Sequence, residues 1–99
     1  MIRFQGCVAT AAASLYMTKL CKHFRHKIAV EFDAREARAE FPYGVCLMSA
    51  DERALSFECL AQDDEAVARM CAVVDDHLVR FARKEALRIE WRAVPQENA

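Results

Sequence analysis

Residues 20–27 hold the densest set of reactive side chains in the chain, with one thiol, two imidazoles and three permanent cations in eight residues. On a helix, where successive side chains are about 100° apart, Lys22, His23 and His26 fall on one stripe together with Lys19. Such a basic stripe can bind an anion, a metal ion or an acidic partner. Which of these ligands it binds depends on the other residues that lie beside the stripe.

Two side chains from a second helical segment could enlarge the basic stripe. His77 and Arg80 would approach it if the two helices packed side by side. Clustered lysine, arginine and histidine side chains bind phosphate and carboxylate groups well. The alternative is a solvated helix face whose cations only stabilise the helix C-terminus. The predicted binding residues for an anionic small molecule or partner are Lys22, His23, His26, Lys27, His77 and Arg80.

A transition-metal site is the second interpretation of the same segment. His23 and His26 can converge on one ion, but structural zinc sites use four protein ligands and catalytic ones three. His77 and Cys46 are the candidates to complete the set. Cys21 cannot pair with His23, because side chains two residues apart on a helix diverge by about 200°. Without such a metal ion, no cofactor is expected.

Catalysis by a thiol is a third interpretation. Lys22 and Arg25 would lower the pKa of Cys21 if the sulfur were exposed. Its position beside Met17 and Phe24 instead predicts burial, which raises a thiol pKa. No catalytic triad spacing, phosphate-binding loop, dinucleotide motif or metalloprotease motif occurs in the sequence. We therefore assign no catalytic residue and expect a non-catalytic domain.

Composition excludes several classes of partner. Fourteen basic against fifteen acidic residues give a net charge of −1, which provides no field to hold nucleic acid. No stretch approaches the roughly 20 apolar residues of a membrane span, and the N-terminus lacks the apolar core of a signal peptide. Five cysteines, without a C-x-x-C pair, do not indicate a disulfide framework. The cytoplasm is the expected compartment.

Hydrophobic periodicity predicts a strand, a helix, four strands, a helix and a strand. Thr10 is expected to cap the first helix, which should end at residues 25–27. Gly44 is expected to supply positive φ in the turn after the third strand. Asp63 should cap the second helix. The apolar face of that helix is formed by Val67, Met70, Cys71, Val74, Leu78 and Phe81, and the inward positions of the last strand are Leu87, Ile89 and Trp91.

The order of elements predicts one α+β domain over residues 1–94, with a flexible tail at 95–99. Right-handed crossovers would place both helices on one face of a mainly antiparallel sheet of about six strands, giving a two-layer sandwich. The other face is polar enough to meet water. Leu60 and either Cys46 or Val45 interrupt it, so a homodimer could cover part of that face.

Three groups of residues carry a resemblance to a known family. They are residues 20–23 with His26 and Lys27, Phe41 and Pro42 with Gly44 and Cys46, and His77 and Leu78 with residues 80–82 and Glu85. The chain resembles small bacterial domains of unknown function that occur alone or joined to siderophore-interacting, flavin-dependent ferric reductases. The resemblance implies a role near iron-siderophore metabolism, with a siderophore or such a reductase as partner. This chain has no flavin motif, so it is not itself the reductase.

Overall fold

The predicted order of elements is confirmed in the computed structural model, which describes residues 1–95. The elements are β1 Ile2–Ala9, α1 Ala13–Phe24, β2 Ala29–Phe32, β3 Glu36–Phe41, β4 Gly44–Ala50, β5 Ala54–Ala61, α2 Asp64–Phe81 and β6 Glu90–Ala93. Apart from Pro95, the tail expected at residues 95–99 lies outside the described residues.

The six strands of residues 1–95 form one antiparallel sheet in the spatial order β2-β3-β4-β5-β1-β6. The longest pairing is that of β1 with β5, which runs from Ile2 opposite Ala61 to Ala9 opposite Ala54. The short strands β2 and β6 form the two edges. The sheet and the two helices confirm the predicted α+β architecture.

Both helices bury their apolar sides against the same face of the sheet. On β5 the inward positions are buried as their alternation predicts, and Ser56 and Glu58 point to the opposite face. The buried residues of α1 are Ala13, Tyr16, Met17, Leu20, Cys21 and Phe24, and those of α2 are Ala66, Met70, Val74 and Leu78. Near the start of α1, Tyr16 contacts Glu85 just after α2, while His23 near the end of α1 contacts His77. The two helices are therefore antiparallel.

The helix termini agree with the sequence prediction only in part. Asp63 caps α2 as predicted, because its side chain accepts a hydrogen bond from the Ala66 amide at 2.8 Å. The prediction that Thr10 caps α1 is wrong, since the cap position is Ala12 and carries no side-chain cap. The Thr10 hydroxyl accepts a hydrogen bond from the Ala12 amide at 3.1 Å and donates to Glu85 Oε1 at 3.2 Å. It therefore orders the turn before the helix.

The end of α1 comes earlier than predicted, at Phe24. The amide of His26 bonds to the His23 carbonyl at 3.3 Å, and the amide of Lys27 bonds to the Phe24 carbonyl at 3.0 Å. These i to i−3 bonds tighten the chain and satisfy carbonyls that the helix leaves free. His26 and Lys27 consequently lie in a turn rather than on the helix.

The last strand begins later than predicted. Leu87 and Ile89 pack against the core, but β6 starts at Glu90, which pairs with Cys7. The amide of Leu87 bonds to the Glu85 carbonyl at 2.8 Å, so the chain is still turning at that point. The backbone pairs with β1 only after this turn.

The outer face of the sheet is polar, with a small apolar patch at its centre. Val45 and Leu60 are directly paired there and half-buried, and Leu47 is 41% exposed. Cys46 points to the helices and is fully buried, so the interruption predicted at Cys46 or Val45 is at Val45. Among residues 1–95, no helix has the length and apolarity needed to cross a membrane.

Gly44 is required for close packing and not for a turn conformation. No residue in the range 1–95 has positive φ, so the prediction of positive φ at Gly44 is wrong. A Cβ atom at this position would lie 3.0 Å from Ala61 Cα and closer still to the carbonyl oxygen of Leu60. Strands β4 and β5 approach each other here too closely for any side chain.

We expect Gly44→Ala to destabilise the protein by about 3 kcal/mol, the upper end of the usual cost of overpacking. The added methyl group would meet backbone of β5, which cannot move without breaking the ladder. Urea unfolding followed by circular dichroism measures the change.

The comparison variant is Gly6→Ala, whose Cβ would lie 2.5 Å from Cε3 of Trp91. That ring belongs to the edge strand β6 and can shift, so we expect a smaller loss. An unfolding midpoint for Gly44→Ala equal to or above that of Gly6→Ala would contradict the packing argument.

Candidate functional site

Two histidines from different helices meet near the end of α1. The rings of His23 and His77 have centroids 4.3 Å apart and planes inclined by 43°. The His77 Nδ1 atom lies 2.6 Å from the Val73 carbonyl oxygen. Because a carbonyl only accepts hydrogen bonds, Nδ1 of His77 carries a hydrogen and Nε2 is left for a ligand.

Three more basic side chains surround this pair. The pKa of His23 is lowered, first by partial desolvation and then by repulsion from His77, His26, Lys27 and Arg80. All five residues are exposed except His77, which is half-buried. We call His23, His26, Lys27, His77 and Arg80 the basic cluster.

The basic cluster has no carboxylate counterion within the described part of the chain. The ion pairs found in residues 1–95 are Arg38 with Glu40 and Arg69 with Glu65. Asp76, four residues before Arg80 on α2, forms no ion pair with it. Within the described residues, the permanent charges of Lys27 and Arg80 therefore lie at this end of the two helices without a paired carboxylate.

Five of the six predicted anion-binding residues thus come together in the structure. The sixth, Lys22, is exposed on α1 and is not among the charges that act on His23. His26 and Lys27 reach the cluster from the turn after the helix, and not from the regular helical stripe that the sequence suggested. Because α1 ends at Phe24, the turn that follows carries His26 and Lys27 to the cluster.

Aromatic rings adjoin the basic cluster. Phe24 packs edge-on against His77 and Phe41, with centroid distances of 5.4 Å in both cases. Phe41 stacks on Tyr43 at 5.6 Å. Phe81 lies on the other side, 6.1 Å from His23. The imidazoles are therefore part of a continuous row of rings between the helices and the β3–β4 turn.

The residues of the predicted metal site are placed less favourably. Cys46 is fully buried on β4, with its Sγ atom 3.4 Å from Sγ of Cys59. Across residues 1–95, no group of three or more histidine, cysteine, aspartate or glutamate side chains is arranged to hold a metal ion. The contact between His23 and His77 supplies two imidazoles, fewer than structural or catalytic zinc sites use.

The sequence did not reveal a cluster of thiols in the core. Cys46 and Cys59 are directly opposed on β4 and β5. The pKa of Cys46 is raised well above its usual value by its hydrogen bond with Cys59, by burial and by the nearby Cys21 and Cys71. The alternation on β5 indicated burial of Cys59 but left the orientation of Cys46 open, and only the register of the strands shows that the two sulfurs meet.

These thiols are unsuited to nucleophilic catalysis. Burial raises the pKa of Cys21 to about 11, and burial followed by repulsion from Asp75 and Cys59 raises that of Cys71 to about 11. Only the thiolate is an effective nucleophile. Cys7 is the exposed cysteine, on the outer face of β1.

A carboxylate outside the basic cluster fixes the position of α1. Glu85 accepts hydrogen bonds from the hydroxyl groups of Tyr16 and Thr10. The pKa of Tyr16 is raised, mainly by this hydrogen bond to Glu85. The contact joins the start of α1 to the segment after α2 and thereby holds the two helices in register.

We expect His77→Asn to raise the pKa of His23, because it removes the largest charge repulsion acting on that imidazole. His23 would still be partly desolvated in this variant, so its pKa should stay below the usual value of about 6.5. A pH titration of the histidine ring signals by NMR measures the shift.

His26→Asn is the matched control and should raise the pKa of His23 by less, since His26 acts more weakly on it. An unchanged His23 titration in His77→Asn would contradict the proposed coupling. Because the folded pKa lies below the unfolded one, His23 contributes to a loss of stability as the pH falls below about 6.5.

A disulfide reagent should distinguish the five thiols. We expect Ellman's reagent to label Cys7 rapidly in the native protein, Cys71 slowly, and Cys21, Cys46 and Cys59 only after denaturation. Cys7→Ser should remove the fast phase, whereas Cys71→Ser should leave it intact. Fast labelling of Cys21 would restore the thiol-enzyme interpretation.

The fold and the sequence are shared with other bacterial proteins. The NMR structure of PA4090 from Pseudomonas aeruginosa has a TM-score of 0.78 to this structure and 34% sequence identity, covering 93% of this chain and 96% of that chain. No protein of curated function matches the chain. The profile of a family described as uncharacterized proteins conserved in bacteria, DUF2218, matches residues 5–92. The predicted resemblance to a bacterial family of unknown function is thereby confirmed, and the chain belongs to DUF2218.

Proposed function

We propose that this domain is a non-catalytic binding module that recognises an anionic group through the basic cluster. The observation that carries the proposal is the contact of His23 with His77 amid three further basic side chains, with no carboxylate paired to any of them in residues 1–95. Lys22, exposed on the adjacent turn of α1, would contribute at the edge of the site.

The physical basis is the mutual repulsion within the cluster. Each positive group opposes protonation of His23, so the cluster in isolation favours neutral imidazole. A carboxylate or phosphate bound between the rings would reverse this balance, because protonated imidazoles, lysine and arginine all donate charge-assisted hydrogen bonds. Binding of an anion should therefore be accompanied by uptake of protons.

The source of the anion is proposed from the resemblance described above. The small bacterial domains that this chain resembles are joined in some proteins to siderophore-interacting reductases. This arrangement supports a ferric siderophore, or the reductase that processes it, as the partner. Carboxylates that chelate iron, such as those of ferric citrate, have the charge that the basic cluster would recognise. We further propose a cytoplasmic location, where the five free cysteines would stay reduced.

The test is an NMR titration at pH 6.5 with inorganic phosphate, citrate and gallium citrate, a diamagnetic stand-in for ferric citrate. We expect the ring signals of His23 and His77 to move with saturation. The double variant Lys27→Gln with Arg80→Gln should weaken binding about tenfold or more, since a hydrogen bond to a charged group contributes about 1.5 to 3 kcal/mol.

Arg92→Gln is the control for altered surface charge, because Arg92 is exposed on β6 and pairs with Gln5 on the outer side of the sheet, although it removes one positive charge where the double variant removes two. It changes the net charge without touching the cluster and should leave affinity nearly unchanged. Equal affinity in the double variant and the wild type would refute the proposed site. Saturable zinc binding that is lost in His23→Asn, without any response to anions, would favour the metal alternative instead.

A further inference from the structure

We infer that the ligand of the basic cluster is a planar aromatic carboxylate whose ring lies against the row of aromatic side chains beside the imidazoles. This inference rests on the proposed function and specifies the class of anion. The inference is drawn from the row of aromatic side chains, which the binding of an anion alone does not require.

The row of rings is continuous from Tyr43 to Phe81. From Phe24 it passes through Phe41 to Tyr43, with centroid distances of 5.4 Å and then 5.6 Å. From His23 it reaches Phe81 at 6.1 Å. Two helices and the β3–β4 turn contribute these side chains, so the row bridges all three elements.

Most of these rings are not sealed in the core. Phe24 is buried, but Phe41, Tyr43, His77 and Phe81 are half-buried and His23 is exposed. Half-buried rings beside cations present part of their apolar surface to water, and this arrangement suits a flat aromatic ligand. Phe4 and Phe57, by contrast, are buried beneath Trp91 in the core.

Cationic groups flank the row at both ends. Lys27 and Arg80 act on His23 at one end, and the Arg69 guanidinium lies 5.3 Å from the ring centroid of Tyr43 at the other. A ligand ring could stack on the aromatic side chains while its carboxylate meets the imidazoles and their neighbouring cations. An aliphatic carboxylate of equal charge would contact the imidazoles and cations but would not stack on the aromatic side chains.

The decisive comparison is between benzoate and cyclohexanecarboxylate, which carry the same charge and a six-membered ring each. NMR titrations of the wild-type protein give both dissociation constants. We expect benzoate to bind about tenfold more tightly. We also expect ring-current shifts at Phe41 and Tyr43, together with shifts of the His23 signals.

Phe41→Leu should reduce this preference to about twofold. Phe32→Leu is the matched control, because Phe32 is a half-buried residue of the edge strand β2 and contacts no other ring within residues 1–95. The wild-type comparison needs no variant, so it decides the question even if Phe41→Leu fails to fold.

The outcomes separate the two proposals. Equal affinities for the two carboxylates, with shifts at His23 and His77, would overturn the aromatic ligand and leave the anion site standing. No saturable shift with benzoate, cyclohexanecarboxylate or phosphate would overturn both proposals. A benzoate preference that survives Phe41→Leu unchanged would also overturn the inference, because the stacking surface would then lie elsewhere.

Discussion

The burial of two helices on one face of a single sheet is the constraint on which the rest of this structure depends. The opposite face is too polar to accept a helix, since three of the four residues in its central row are polar. The row runs through Arg38, Leu47, Glu58 and Gln5 on four strands. Two helices that share one face must lie side by side. Contact between their polar edges, including His23 with His77, follows from this arrangement.

Side-by-side packing alone leaves the two helices free to slide along each other. The carboxylate of Glu85 removes that freedom, because it binds hydroxyl groups at both Thr10 and Tyr16 while the apolar surfaces around it are not directional. A shift of one helical turn would move a side chain by about 5.4 Å and separate the imidazoles. A contact far from the basic cluster therefore contributes to its geometry, together with the packing of the core.

Local signals in the sequence were sufficient where the deciding interactions are local. The Asp63 cap, the apolar face of α2 and the alternation on β5 involve neighbours within a few residues, and the structure confirms them. The error at Thr10 concerns the start of the helix, since the hydroxyl oxygen accepts from the Ala12 amide but α1 begins only at Ala13. The same hydroxyl donates to Glu85, 75 positions later in the chain. No periodicity in the sequence carries that information.

The difference between local and long-range interactions also decides how much of the candidate site could be predicted. Spacing identified the basic residues, but it could not show that His26 and Lys27 reach the cluster from a turn, or that four cysteines converge in the core. That convergence bears on function, because it removes Cys21, Cys46 and Cys59 from solvent and leaves Cys71 half-buried, so that none of the four is a freely accessible nucleophile. The groups left at the surface carry positive charge and aromatic rings. The proposed anion site rests on these groups.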